Sequence, residues 1–170
     1  MKPVIVLGFV LALLPASVGA KGRTTRITVT EARLETPVHI TNPSILERFN
    51  VWAGRGTFVT IAGQERQEGD QGFIIDWVAG VVGPPPRDLP RYEVRFFVRY
   101  ANSATEKLAY VVYYVHDSSS HRGFVYLPGK SDEAYRLNVT AIHRGNNLEG
   151  NWFRASPAWY ETVERVLGAR

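Results

Sequence analysis

Cysteine is absent from the 170 residues of this chain. The protein therefore has no disulfide, no thiolate metal ligand and no cysteine nucleophile, and no residue could carry the lipid of a bacterial lipoprotein. Exported eukaryotic domains of this size often carry disulfides. If the chain is exported, its composition favours a bacterial periplasmic or extracellular protein.

Long apolar runs are also scarce, and the one that stands out covers residues 4–14, just after Lys2. Small residues follow it, with Val18 and Ala20 at the positions that a signal peptidase reads. This order predicts a signal peptide over residues 1–20, cleaved after Ala20. The run has about half the roughly 20 apolar residues that a membrane span needs, so an uncleaved anchor is the weaker alternative. No later stretch is long enough to cross a bilayer.

Strong charge of one sign is missing as well. The formal net charge is +4, to which the predicted leader contributes only Lys2. A mild excess without a concentrated basic patch does not favour nucleic acid, and no nucleic-acid partner is expected. The charge is compatible with attraction to anionic envelope polymers or lipid head groups.

Residues 21–170 have the length of one domain and alternate between strand and helix patterns. Residues 25–30 and 37–41 read as strands, a short helix starts at Asn42 or Ser44, and Ser156 caps a C-terminal helix. The pattern predicts a single α+β domain with an antiparallel sheet of about six to eight strands, a short helix after strand 2, and the C-terminal helix packed on the sheet. The alternative is a half-closed β-barrel with a terminal helix.

The most regular patterns lie in residues 91–100 and 107–116, which are rich in β-branched and aromatic residues. Joined as a hairpin, they place Val94 beside Tyr114. A third strand over residues 122–127 then brings Phe124 opposite Tyr114 and Tyr126 opposite Val112. We expect all these residues on the core face; a shift of two keeps the face, whereas a shift of one exchanges it.

Residues 73–80 are apolar on both sides and predict a strand covered on both faces, with Asp76 in its middle. A buried carboxylate must be paired or have a raised pKa. Asp76 is therefore a candidate catalytic acid, base or ligand anchor beside Trp77. The alternatives are a structural ion pair with an arginine, or an ordinary exposed face.

The stretch HDSSSH, residues 116–121, combines ligand-type side chains. A zinc site needs three or four ligands, whereas His116 and Asp117, as neighbours on a strand, point to opposite faces. We expect a plain hairpin turn, with His116 and His121 as weak metal candidates and no cofactor. The chain contains neither a G-x-S-x-G nor an H-E-x-x-H motif.

Arg91, Arg95 and Arg99 recur every four residues, so on a strand they form a stripe with a spacing of about 13 Å. Such a stripe could follow an extended anionic polymer, and Lys107 across the hairpin could extend it. The alternative is an ordinary solvated face, with arginine stems covering Val111 and Tyr113.

The leading functional hypothesis is an exported, non-catalytic domain that binds a protein partner or an anionic envelope component, through Arg91, Arg95, Arg99 and Lys107. A second hypothesis is a small exported hydrolase that uses Asp76 or the loop of His116 and His121. A third is a structural subunit of an envelope assembly.

Overall fold

The computed structural model describes residues 22–31, 36–52, 58–61, 64–67, 73–139, 142–143 and 147–168. The predicted leader, residues 1–20, lies outside these ranges. Within them, no helix is both long and apolar enough to cross a membrane.

The described part of the chain contains nine strands and two α-helices. The strands are β1 (Arg23–Thr30), β2 (Val38–Ile40), β3 (Phe58–Ile61), β4 (Gln64–Gln67), β5 (Val81–Val82), β6 (Arg91–Arg99), β7 (Lys107–Asp117), β8 (Arg122–Tyr126) and β9 (Trp152–Arg154). The helices are α1 (Pro43–Leu46) and α2 (Pro157–Gly168), and 3-10 turns cover Glu47–Phe49 and Glu133–Leu137.

Seven strands form one sheet in the order β2-β1-β6-β7-β8-β9-β5, and each pair of neighbours is antiparallel. Strands β3 and β4 form a separate hairpin. The two ends of the large sheet, β2 and β5, are not paired with each other, so the sheet is open. The predicted α+β class, with a short helix after the second strand and a C-terminal helix, is confirmed, and the barrel alternative is wrong.

Side chains alternate strictly along β6. Tyr92, Val94, Phe96 and Val98 are buried, whereas the arginines between them are exposed. We call the side of the sheet that holds Val94 the inner face and the other side the outer face. The inner face forms the core, as the alternation predicts.

The pairing of β6 with β7 differs from the predicted register by two residues. Val94 pairs with Val112 and Phe96 with Tyr110, and a bulge at Ala109 follows the connection between the strands. Because a shift of two residues preserves the face, the predicted core set of these two strands remains on the inner face.

The predicted pairing of β7 with β8 is wrong by one residue. Tyr114 pairs with Val125, so Phe124 and Tyr126 lie on the outer face. The cause is a four-residue turn over residues 118–121, in which His121 adopts a φ of 52° and Asp117 pairs with Arg122. A turn one residue shorter would have produced the expected register.

The inner face is covered mainly by α2 and by residues 73–77. Trp159 of α2 is fully buried, and its ring meets Phe49 at 5.0 Å, Tyr114 at 6.1 Å and Phe96 at 6.4 Å. Ser156 caps the helix as predicted, since its hydroxyl accepts a hydrogen bond from the Trp159 N–H.

Residues 73–77 do not form the predicted strand. Phe73, Ile74, Ile75 and Trp77 are buried, but among the described residues a single β-bridge, between Ile75 and Ala155, joins them to the sheet. The apolar content of this segment reflects burial in a compact loop and not strand pairing. Because of that bridge, the following residue, Asp76, lies beside the end of β9.

His143 is completely buried among aromatic rings, with Phe73 and Trp77 at 5.5 Å and Tyr110 at 5.3 Å. Among the residues that the structure describes, neither of its ring nitrogens has a hydrogen-bond partner. Burial lowers the pKa of His143 from its ordinary 6.5 to about 3.

Replacing Trp159 with alanine should lower the free energy of unfolding by about 3–5 kcal/mol, because a fully buried indole is removed from the centre of the core. Urea denaturation followed by fluorescence measures this change. Arg165→Ala, on the exposed side of the same helix, is the control and should change stability by less than about 0.5 kcal/mol. An unchanged midpoint for Trp159→Ala would contradict the docking of α2.

The buried His143 should make stability depend on pH. Between its unfolded pKa near 6.5 and its folded pKa of about 3, only the unfolded state binds a proton at this site, so stability falls as the pH decreases through this window. Relative to His143→Leu, the wild type should lose about 2 kcal/mol of stability between pH 7.5 and pH 5. Urea midpoints at both values measure the loss; parallel pH profiles of the two proteins would refute it.

Candidate functional site

The outer face carries two rows of side chains that run across the strands. Register places Arg91, Val115, Phe124 and Arg154 in one row, on β6, β7, β8 and β9 in turn. The adjacent row consists of Glu93, Tyr113, Tyr126 and Trp152. Cations and aromatic rings are therefore neighbours on this face.

The arginines of these rows lie over the aromatic rings. The Arg91 guanidinium carbon is 5.7 Å from the ring centre of Tyr113 and 5.4 Å from that of Trp152, and the Arg154 carbon is 5.1 Å from Phe124. The Tyr113 and Tyr126 rings are stacked at 6.3 Å. We call this group the aromatic–arginine patch: Arg91, Tyr113, Phe124, Tyr126, Trp152 and Arg154.

The patch is partly buried, and a hydrogen bond to Asp132 fixes one of its rings. The Tyr126 hydroxyl donates to Asp132 Oδ2 at 2.8 Å, and the same oxygen accepts the Gly129 N–H at 2.7 Å. Burial, and for Tyr126 the hydrogen bond to Asp132, raises the pKa of Tyr113 and Tyr126 above the ordinary phenol value. Both phenols are therefore neutral at neutral pH, and the arginines give the patch its charge.

The three arginines of the predicted stripe are exposed on the outer face but differ in their partners. Arg95 forms a salt bridge with Glu93, whereas Arg91 and Arg99 have none among the described residues. Arg99 pairs directly with Arg23 of β1, which is itself bound to Glu47 at 2.6 Å.

Two details of the predicted stripe take a different form in the structure. Lys107 pairs with Val98, an inner-face residue, and so does not continue the row of Arg99. Val111 is fully buried, and the Asn138 side chain bonds both its N–H, at 2.7 Å, and its carbonyl, at 3.0 Å. The Arg91 guanidinium lies over Tyr113, whereas Asn138 holds Val111 through its backbone.

Asp76 is partly buried and serves a turn. Its Oδ1 accepts the N–H groups of Val78 at 3.1 Å and Ala79 at 3.4 Å. Its own N–H donates to the Arg154 carbonyl at 2.9 Å. No salt bridge involves Asp76 among the described residues. The alternative of an ion pair with an arginine is therefore not seen in this part of the chain.

The second predicted site, the HDSSSH stretch, is a hairpin tip. Asp117 accepts hydrogen bonds from the backbone and hydroxyl groups of Ser119 and Ser120, and these bonds lower the pKa of Asp117 to about 2. The carboxylate of Asp117 thus stabilises the turn, which is the role that aspartate commonly has next to serines.

His116 and His121 meet at one tyrosine of α2. The His116 ring is stacked on Tyr160 at 4.8 Å, and its Nδ1 is 3.1 Å from the Tyr114 hydroxyl. His121 Nδ1 is 3.4 Å from the Tyr160 hydroxyl. Within the described ranges, no group of three histidines or carboxylates is arranged to hold a metal ion.

Around Tyr160 lies an open cleft of about 610 Å³ between the end of the sheet and α2, which we call the end cleft. Two separate candidates from the sequence, Asp76 and His121, both line this cleft. The β-bridge between Ile75 and Ala155 brings Asp76 to it. Its wall is completed by Ala79, Arg122, Gly123, Arg154, Ala155, Pro157, Tyr160, Glu161 and Glu164.

Sequence reasoning missed the aromatic half of the patch. The expected register placed Phe124 and Tyr126 in the core, whereas both lie on the outer face, together with Trp152, which alternates with buried Phe153. The signal was present, because the period of two in residues 122–126 puts Gly123 and Val125 on one side and the aromatics on the other.

Comparison of the chain with protein-family models, with curated proteins and with solved structures found no match in any of the three.

Proposed function

We propose that this chain is an exported, non-catalytic domain whose outer sheet face binds an extended anionic polymer of the cell envelope. The observation that carries the proposal is the aromatic–arginine patch, in which Arg91 lies over Tyr113 and Trp152 without a carboxylate partner among the described residues.

Stacking on a ring orients a guanidinium and leaves the N–H groups at its edge free to donate. These groups can form paired, charge-assisted hydrogen bonds with a carboxylate, sulfate or phosphate. The ordering of the Arg91 side chain is already achieved in the free protein, so a ligand loses less binding free energy to this ordering.

The arrangement favours a long ligand over a small one. Arg91 and Arg99 lie at opposite ends of β6, about 26 Å apart along the strand. Arg154, on β9, extends the charge sideways from Arg91. A single small anion reaches only one of these groups, whereas a chain with repeated negative charges reaches several and gains from each.

The hydrolase alternative has less support from the geometry. Asp76 Oδ1 accepts two backbone N–H groups, and Asp117 is bound by the serines of its own turn. The serines at residues 118–120 lie at an exposed hairpin tip, and the Ser119 and Ser120 hydroxyls donate to Asp117 of the same turn. The structural-subunit alternative has no specific observation in its favour.

The mature protein should bind immobilised polygalacturonate at low salt and not neutral dextran. The variant with Arg91→Gln and Arg99→Gln should bind at least about tenfold more weakly, since it loses the two stripe arginines that form no salt bridge within the described ranges. The wild-type affinity should also fall steeply between about 20 mM and 200 mM salt. Biolayer interferometry measures the preference for the charged polymer, the affinity of the variant and the salt dependence.

The matched control is Arg87→Gln with Arg165→Gln, which removes the same charge from exposed positions in a loop and on α2. It should bind the polymer nearly as the wild type does. Equal losses in the two double variants would reduce the effect to net charge and contradict a defined surface. Salt-insensitive binding, or none to any anionic polymer, would remove the proposal.

Export makes a separate prediction. Protein recovered from its native host should begin at Lys21, because the apolar run, its single preceding lysine and the small residues up to Ala20 match a cleaved leader. N-terminal sequencing tests this directly. A mature protein that retains Met1 would contradict the export part of the proposal and leave the binding part standing.

A further inference from the structure

The end cleft holds charges of both signs that are not paired with each other. Arg122 and Arg154 line it from the sheet, and Glu161 and Glu164 line it from α2. Among the described residues, none of these four side chains takes part in a salt bridge. Residues of both signs therefore line the cleft, and no salt bridge among the described residues joins them.

The carboxylates belong to one face of α2. Pro157, Tyr160, Glu161 and Glu164 are spaced three and four residues apart, so they form a single stripe along the helix. Burial of Trp159 and Val163 on the neighbouring stripe fixes the rotation of the helix and keeps this stripe turned towards the cleft.

The opposite wall is fixed by backbone hydrogen bonds. Ala155 N–H donates to Gly123 O at 2.9 Å, Asp76 N–H to Arg154 O at 2.9 Å, and Ser156 N–H to Ile74 O at 2.8 Å. These bonds join β8, β9 and the loop of Asp76 immediately before α2 begins. The cleft is thus built by ordered elements on both sides.

Tyr160 supplies a neutral polar surface between the charges. It is buried, its ring is stacked on His116, and its hydroxyl donates to Glu164 Oε1 at 3.3 Å. Burial and the nearby Glu164 raise the pKa of the Tyr160 phenol. The hydroxyl stays protonated at neutral pH, and the negative charge on this wall comes from the glutamates.

We propose that the end cleft binds a small zwitterion that carries a carboxylate and an ammonium group, of the size of a short peptide. The ligand carboxylate would meet Arg122, with Arg154 at the boundary that the cleft shares with the aromatic–arginine patch. The ammonium group would meet Glu161 and Glu164, with Asp76 at the margin. The volume of about 610 Å³ lies within the usual range for sites of small ligands.

The charge pattern selects against ligands of one sign. An anionic polymer segment meets repulsion from Glu161 and Glu164, and a polycation meets repulsion from Arg122 and Arg154. Only a ligand with both charges pairs both walls. This inference does not rest on polymer binding at the outer face: Arg154 borders both surfaces, but Arg122, Glu161 and Glu164 are not part of the aromatic–arginine patch.

The test compares trialanine with two derivatives that each lack one charge, N-acetyl-trialanine and trialanine amide. Isothermal titration calorimetry with the mature protein should show that trialanine binds at least about tenfold more tightly than either derivative. Amide shifts of residues around Tyr160 in a two-dimensional NMR titration should locate the site.

Two single variants show which wall meets which charge. Arg122→Gln should weaken trialanine binding about tenfold and leave binding of the amide unchanged, since the amide has no carboxylate to lose. Glu161→Gln should weaken the binding of trialanine and leave binding of the N-acetyl derivative unchanged, since that derivative has no ammonium group to lose. Arg165→Gln, on the same helix but outside the cleft, should affect none of the three ligands.

Equal affinities for the three peptides, losses that do not follow the missing charge, or no binding of trialanine at millimolar concentration would each overturn the proposal. Both variants replace exposed residues, and their urea midpoints should match the wild type, which separates a binding defect from unfolding. Glu161→Gln should also retain polygalacturonate as the wild type does, so failure of one proposal is distinguishable from failure of the other.

Discussion

The alternation of side chains along β6 decides the character of both faces of the sheet. This strand lies between β1 and β7, and its buried residues at every second position require a cover of apolar groups on one side only. Trp159 and the loop of residues 73–77 provide that cover. The intervening arginines are thereby directed to the opposite side, away from the core. One periodic pattern thus separates the packed face from the charged one.

The fold class follows from patterns that are local in the sequence. A period of two over residues 91–99, a Ser156 cap before a proline, and a helical stripe around Trp159 each depend on a few neighbouring residues. Turn geometry is not determined by such local patterns. The β7–β8 register depends on whether His121 or Arg122 pairs with Asp117, and the left-handed conformation of a histidine is not a common sequence signal. Because the turn is one residue longer than expected, Phe124 and Tyr126 lie on the outer face and not in the core.

The same contrast explains what could be predicted of the candidate sites. The exposed position of Arg91, Arg95 and Arg99 follows from their spacing alone. That Arg91 lies over Trp152 cannot follow from spacing, because the two residues are 61 positions apart in the sequence and meet through the order of four strands. The end cleft is still less local, since the single bridge of Ile75 to Ala155 brings Asp76 to α2. Segments that read as independent strands gave no indication of this contact.

In both candidate sites, the charged groups are positioned by aromatic or buried side chains and not by contacts among the charged groups. Rings of the outer face hold Arg91, and the rotation of α2 set by Trp159 holds Glu161 and Glu164. Neither arrangement relies on attraction between the charged groups themselves, and such exposed attractions contribute little to stability. Charges that have no salt-bridge partner among the described residues therefore cost little in the free protein, because solvent screens them. A ligand of complementary charge then finds these groups already placed, which favours recognition by charge pattern over recognition by shape alone.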